Sequence, residues 1–175
     1  MARIERDFYK TPLIAINSLL NNFQLKGKTF LDPCAGDGRI GQVVKTMYPH
    51  MEIDQVEIRK EEKAGLKKYG NVFIGDFLNF TTDKDYNTIM TNPPFSLAVE
   101  IIEHCFEIAT ENTEIIMLLK LSFLESKDRF NFWQEYPVSK LFCLRDRPRF
   151  INNKTDFAAY AWFVWDNEVG NIKVI

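Results

Sequence analysis

Residues 28–41 read KTFLDPCAGDGRIG, and this stretch decides the fold. Residues 28–32 predict a short strand, which Pro33 stops. A turn over residues 34–38 follows, and residues 39–48 predict a helix. Across that junction, Gly36 to Gly41 match G-x-G-x-x-G, placed directly after a strand and opening a helix. Glycines there let the backbone turn tightly and approach a ligand with no side chain in between.

The same alternation continues outward. Residues 52–58 (EIDQVEI) alternate polar and apolar and predict a strand, followed by a charged helix over residues 59–69 that Gly70 stops. Strands are expected at residues 71–74 and 86–91. Asn92-Pro93-Pro94-Phe95 ends the latter, and Ser96 is expected to cap a long helix. Residues 114–121 (EIIMLLKL) form a continuous apolar run, the pattern of a buried central strand. A helix over residues 123–136 and strands at residues 138–144 and 157–165 complete the chain. At the front, Thr11-Pro12 ahead of Leu13, Ile14 and Ile16 reads as a helix capped by threonine with proline in its first turn. Strands alternating with helices predict an α/β fold, a mostly parallel seven-stranded sheet with helices on both faces. In such sheets ligands bind at the carboxyl ends of the strands. Asp32, Glu57, Asp76 and Asn92 all fall at those ends.

Glu57 lies 19 residues beyond Gly38, at the end of the second strand, where an acid can accept hydrogen bonds from ribose hydroxyls. A dinucleotide site has much the same signature. Two features favour S-adenosylmethionine. Asp32-Pro33 puts a carboxylate inside the loop, unfavourable beside a diphosphate and favourable beside an ammonium and a sulfonium. Gly75-Asp76-Phe77 after the third strand offers an acceptor for an adenine amine and a ring to pack on adenine. A plain turn cap is the other reading of Asp76.

Asn92-Pro93-Pro94-Phe95 carries the chemistry. The two prolines fix the backbone and withdraw two N–H groups, which leaves carbonyls as acceptors. With the Asn92 side chain they suit a ligand amine donating two hydrogen bonds. Phe95 offers a flat face for a planar group.

Taken together, DPCAGDGRIG, Glu57, Asp76 and NPPF resemble the motifs of class I S-adenosylmethionine-dependent methyltransferases that methylate amines. The order of the motifs resembles one used by DNA N6-adenine methyltransferases. DFYKTP at residues 7–12 resembles their N-terminal motif, which closes over the methionine end of the cofactor. LKLSFLESKDRF, RPRF and TDFAAYAWFVW resemble stretches of small phage and prophage enzymes, so the likeness runs over nearly the whole chain. It implies a Rossmann-like class I methyltransferase fold. It implies S-adenosylmethionine contacts at Tyr9, Thr11, Pro12, Asp32, Cys34, Ala35, Gly36, Gly38, Glu57, Ile58, Asp76, Phe77 and Asn92. It places catalysis at Asn92, Pro93, Pro94 and Phe95. The implied reaction is a direct displacement on an adenine flipped out of the DNA stack, with no metal and no covalent nucleophile.

Composition sets the outer limits. The chain has 175 residues and a formal net charge of −2, which excludes a histone-like or tail-driven nucleic-acid binder. Residues 1–119 hold 13 Lys and Arg against 17 Asp and Glu, whereas residues 120–155 hold 8 against 4. That basic segment supplies candidate phosphate contacts at Lys127, Arg129, Arg145, Arg147, Arg149 and Lys154. Three scattered cysteines suit a reducing compartment, and no apolar run approaches a membrane span, so a cytoplasmic enzyme is expected. His50 and His104 stand alone in the sequence and carry no metal expectation. One domain over residues 1–175, without a separate target-recognition region, is the simplest organisation. The rival readings are the same chemistry on RNA, methylation of a protein glutamine amide, a cofactor-binding module without turnover, and a nicotinamide oxidoreductase.

Overall fold

The computed structural model describes residues 9–148, 157–168 and 170. Five parallel strands form the frame: β1 (Thr29–Asp32), β2 (Glu52–Glu57), β3 (Asn71–Ile74), β4 (Thr88–Thr91) and β5 (Glu114–Lys120). β6 (Lys140–Cys143) and β7 (Tyr160–Trp165) complete a seven-stranded sheet in the order β3-β2-β1-β4-β5-β7-β6. β7 runs antiparallel to both of its neighbours. The expected mostly parallel, Rossmann-like sheet is present. Strand order reverses between β1 and β4, which opens a crevice at their carboxyl ends.

Burial follows the pleat. Ile115, Met117 and Leu119 of β5 join one core with Ala161 and Phe163, while Ile116 and Leu118 face the other with Trp162 and Val164. α1 (Leu13–Leu20) and α2 (Arg39–Met47) cover the second face through Ile16, Leu19, Ile40 and Val44. α4 (Ala98–Ile108) and α5 (Phe130–Glu135) cover the first through Ile101, Ile102, Phe132 and Trp133, and the short α3 (Lys63–Leu66) lies between β2 and β3 in sequence. Trp162 is fully buried, and its indole N–H donates to Ala15 O at 2.9 Å, which pins α1 to the sheet.

Two expected helices are shorter than the charge pattern suggests, each for a local reason. Residues 59–69 break into a 3-10 turn at Lys60–Glu62 followed by α3. Arg59 is extended (φ −91°, ψ 115°), and the Leu66 carbonyl accepts both from Tyr69 N–H at 2.9 Å, in a tightened last turn, and from Gln55 Nε2 at 3.0 Å. Residues 123–136 are helical only from Phe130. The Arg129 side chain takes the carbonyls of Ser122, Phe123 and Glu125, and Ser126 caps the turn Lys127–Arg129. Capping also differs at two places. Pro12, not Thr11, is the N-cap of α1. A 3-10 turn at Phe95–Leu97 precedes α4, so Leu97 rather than Ser96 is its N-cap.

Candidate active site

The loop after β1 takes its shape from its glycines and from an acid on the next strand. Gly36 and Gly38 have φ of 60° and 83°, the left-handed region that favours glycine. A Cβ on Gly38 would also lie 2.8 Å from Leu66 Cδ2. Gly38→Ala is expected to cost about 1–2 kcal/mol of stability, read as a fall in melting temperature relative to wild type.

Glu57 ends β2 almost fully buried. Its Oε2 accepts from Gly36 N–H at 2.7 Å, and its Oε1 accepts from Arg59 N–H at 2.9 Å and Arg59 Nε at 2.8 Å. Its backbone carbonyl accepts from Gly75 N–H at 3.0 Å. One residue thus ties together the loops that follow β1 and β2 through its carboxylate and the loop after β3 through its backbone carbonyl. Beyond β3, Asp76 is exposed and its Oδ1 caps the Phe77–Asn79 turn by accepting from Leu78 N–H at 3.0 Å. Phe77 is buried, with its ring 4.9 Å from that of His104.

Asn92, at the end of β4, completes the site. Its Nδ2 donates to Tyr9 O and to Thr11 Oγ1, both at 3.2 Å. A carbonyl can only accept, so this pairing fixes which way the amide points. Oδ1 is then left buried with no hydrogen-bond partner. The Pro94 carbonyl is taken by Leu97 N–H at 3.0 Å. That leaves the Pro93 carbonyl as the further acceptor of the motif.

These parts enclose a cavity of about 280 Å³. Among the candidates read from the sequence, Tyr9, Thr11, Cys34, Ala35, Gly36, Glu57, Ile58, Asp76, Phe77, Asn92 and Pro94 line it. Pro12, Asp32, Gly38, Pro93 and Phe95 are not part of that lining. Pro12 starts α1 and Gly38 starts α2. Asp32 is fully buried under the loop, and burial pushes its carboxyl up to about 7 against the hydrogen bonds it accepts from Thr91 and Cys34 N–H. Phe95 packs beside Tyr9 and Tyr160, at ring distances of 5.9 and 5.7 Å. Burial also pushes the Cys34 thiol well up, so it stays neutral and unsuited to nucleophilic attack.

Some of the site had no signal in the sequence. Lys10 and Arg39 both reach Asp37, at 3.4 and 3.2 Å, and Arg39 also donates to Thr11 O at 3.3 Å. These contacts fasten residues 9–11 across the loop. Lys120 ends β5 half-buried, with its ammonium 5.3 Å from the Phe95 ring centre and 6.0 Å from that of Tyr160. Only the order of the sheet brings Lys120 beside Phe95 of the Asn92–Phe95 motif.

The basic residues are scattered. Arg129 is spent on backbone carbonyls and on the Phe123 ring, which its guanidinium covers at 4.7 Å. Arg145 is exposed and paired with Asp146 at 3.0 Å, while Lys127 and Arg147 are exposed. Arg149 and Lys154 lie outside the described residues, as do Asp7 and Phe8 of the N-terminal motif. Among the described residues no group of His, Cys, Asp and Glu is arranged to hold a metal, and no helix is long and apolar enough to cross a membrane.

A crevice at the switch point of a doubly wound sheet, with a glycine loop and a strand-end acid, is the nucleoside-binding arrangement of a Rossmann-like fold. A family model for the methyltransferase small domain matches residues 14–114, and the chain belongs to that family. A search of curated proteins finds no match. Solved structures share the fold. A putative class I S-adenosylmethionine-dependent methyltransferase from Listeria monocytogenes superposes with a TM-score of 0.69 at 11% identity, over 98% of this chain and 65% of its own. A putative RNA methyltransferase from Pyrococcus horikoshii gives 0.66 at 18%, over 94% of this chain and 90% of its own. A dimethyladenosine transferase from Plasmodium falciparum gives 0.66 at 13%, over 90% of this chain and 62% of its own. The chain thus spans just under two thirds of the Listeria protein.

A methyltransferase of this family takes its methyl group from S-adenosylmethionine. The residues present fit that cofactor. Among the described residues, Asp37, Glu57 and Asp76 line the cavity, and the cations there, Lys10 and Arg59, are each paired with a carboxylate. Such a wall suits a cationic ligand better than a diphosphate.

Proposed function

We propose that the chain transfers the methyl group of S-adenosylmethionine to the exocyclic N6 amine of adenine in DNA. The observation that carries this reading is the buried, unpartnered Oδ1 of Asn92 in the cavity wall. A buried acceptor left unsatisfied costs about 1–3 kcal/mol, so it is built for a donor that arrives with the substrate. An exocyclic amine is such a donor, and it has two N–H groups.

The residues divide the work. Glu57 and Gly36 would hold the cofactor ribose and Asp76 the adenine amine, with Tyr9 and Thr11 closing the methionine end. When bound, the cofactor supplies an electrophilic methyl group. The amine of adenine is a poor nucleophile because its lone pair is delocalised into the ring. Hydrogen bonds from it to Asn92 Oδ1 and the Pro93 carbonyl localise that lone pair on nitrogen. Phe95, held by Tyr9 and Tyr160, fixes the plane on which the base lies. Positioning and local electrostatics supply the rate.

The resemblance of NPPF to the motif of DNA N6-adenine enzymes favours DNA. The adenosine substrate in the name of the Plasmodium protein supports adenine. Lys120 supplies a cation at the rim, where a backbone phosphate of the target nucleotide would pass. Lys120→Gln is expected to raise the KM for nucleic acid about 3- to 10-fold and to lower the salt slope of binding by about 1. The direct test is transfer of labelled methyl to duplex DNA, single-stranded DNA and structured RNA, followed by digestion to nucleosides. Label recovered as N6-methyladenine from DNA supports the proposal. Label in RNA alone moves the substrate and keeps the chemistry, and label in neither overturns the adenine reading.

A further inference from the structure

One buried side chain joins the two halves of the site. β1 and β4 pair through Phe30 with Thr88 and Leu31 with Ile89, and the ladder stops there, short of Asp32 and Thr91. At the switch point the strand ends must part to open the crevice. Thr91 spans the parting. Its hydroxyl donates to Asp32 Oδ1 at 2.7 Å and accepts from Cys34 N–H at 3.2 Å. The same N–H also reaches Asp32 Oδ1, at 3.2 Å. Thr91 directly precedes Asn92, while Cys34 opens the run to Gly36 that lines the cavity.

We propose that Thr91 is a positioning residue whose hydroxyl replaces the missing rung between β1 and β4 and so sets the cofactor loop against the Asn92 acceptor. The proposal rests on the cofactor assignment and is independent of which amine receives the methyl group.

Packing does not explain the residue. Thr91 is fully buried. A valine would fill the same space with no hydroxyl to satisfy. The hydroxyl is accounted for by what it holds. It also acts on Asp32, whose other oxygen, Oδ2, is buried without a partner. The Thr91 and Cys34 hydrogen bonds hold the Asp32 carboxyl down against burial, and the charge of Glu57 on β2 pushes it up. The Cys34 thiol remains neutral. Removing the Thr91 hydroxyl therefore moves Asp32 further up. With its carboxyl pushed up to about 7, Asp32 would gain charge as pH rises through that range, and that charge would favour the ammonium of the cofactor.

The test is equilibrium binding of S-adenosylhomocysteine to the full chain from about pH 5.5 to about 8.5. Wild type, Thr91→Val and Thr91→Ser are compared, with folding checked by thermal melting. Wild-type binding is expected to tighten as pH rises through the Asp32 midpoint. Thr91→Val is expected to bind about 10-fold more weakly near neutrality, with its midpoint moved to higher pH. Thr91→Ser, which keeps the hydroxyl, restores both. If valine prevents folding, Thr91→Ala against Thr91→Ser makes the same comparison. A folded valine or alanine variant with wild-type affinity and midpoint overturns the proposal, as does a serine variant as weak as valine. A wild type that binds no S-adenosylhomocysteine overturns this proposal together with the cofactor assignment. Binding without methyl transfer to any nucleic acid, with the variants behaving as expected, supports it and removes only the adenine reading.

Discussion

Asn92→Ala should lower methyl transfer by at least about 100-fold, equivalent to about 2.7 kcal/mol in the barrier. The substitution removes a buried acceptor in the cavity wall that nothing in the protein satisfies. It also removes the two hydrogen bonds by which Nδ2 holds residues 9 and 11 over the cavity. Asn92→Asp separates these roles, because it keeps an acceptor and loses both donors. Its loss should be smaller than that of alanine if accepting from the substrate amine dominates. Equal losses would place the effect in the closure over the cofactor. An alanine variant within about tenfold of wild type would contradict the role given to Asn92. The measurement is single-turnover transfer at saturating cofactor.

Glu57→Ala should damage the other half of the site as severely. The carboxylate accepts from Gly36 N–H, Arg59 N–H and Arg59 Nε while only 5% exposed. Removing one member of a buried pair leaves its partner uncompensated, at about 3–5 kcal/mol. Arg59 keeps Glu62 at 3.3 Å, which moderates that cost. The cofactor ribose also loses a charged acceptor, about 1.5–3 kcal/mol. The expected result is a marked fall in melting temperature and cofactor affinity at least about 10-fold weaker. Glu57→Gln keeps one carbonyl acceptor and should fall between alanine and wild type. Unchanged affinity in a folded alanine variant would remove Glu57 from the cofactor site.

Local patterns were the legible part of this protein. The seven strands and the glycine loop show in short runs of residues whose conformation depends mainly on their neighbours. Glu57 and Asn92 show because each ends such a run. Helix lengths failed where a side chain competes for backbone carbonyls. Arg129 takes two carbonyls from the expected helix at 123–136, those of Phe123 and Glu125, and Gln55 reaches across from β2 to share the Leu66 carbonyl where the one after Arg59 ends. Charge and amphipathic spacing carry no trace of that competition. Thr11 shows the same limit at the site itself. Its residue type suits an N-cap, yet its hydroxyl accepts from an amide 81 positions away. Thr91, Lys120 and the Lys10–Asp37–Arg39 closure gain meaning only once the sheet order sets β4 between β1 and β5. Their signal is tertiary, and no spacing along the chain contains it.

One cavity should present the cofactor on the Glu57 side and an amine acceptor on the Asn92 side. The most direct measurement is a crystal structure of the protein grown with saturating S-adenosylhomocysteine. The ligand is expected in the cavity, with its ribose hydroxyls within hydrogen-bond distance of Glu57 and its sulfur on the side of Asn92. A ligand seated elsewhere, or a Glu57 carboxylate without contact to the ribose, would contradict it.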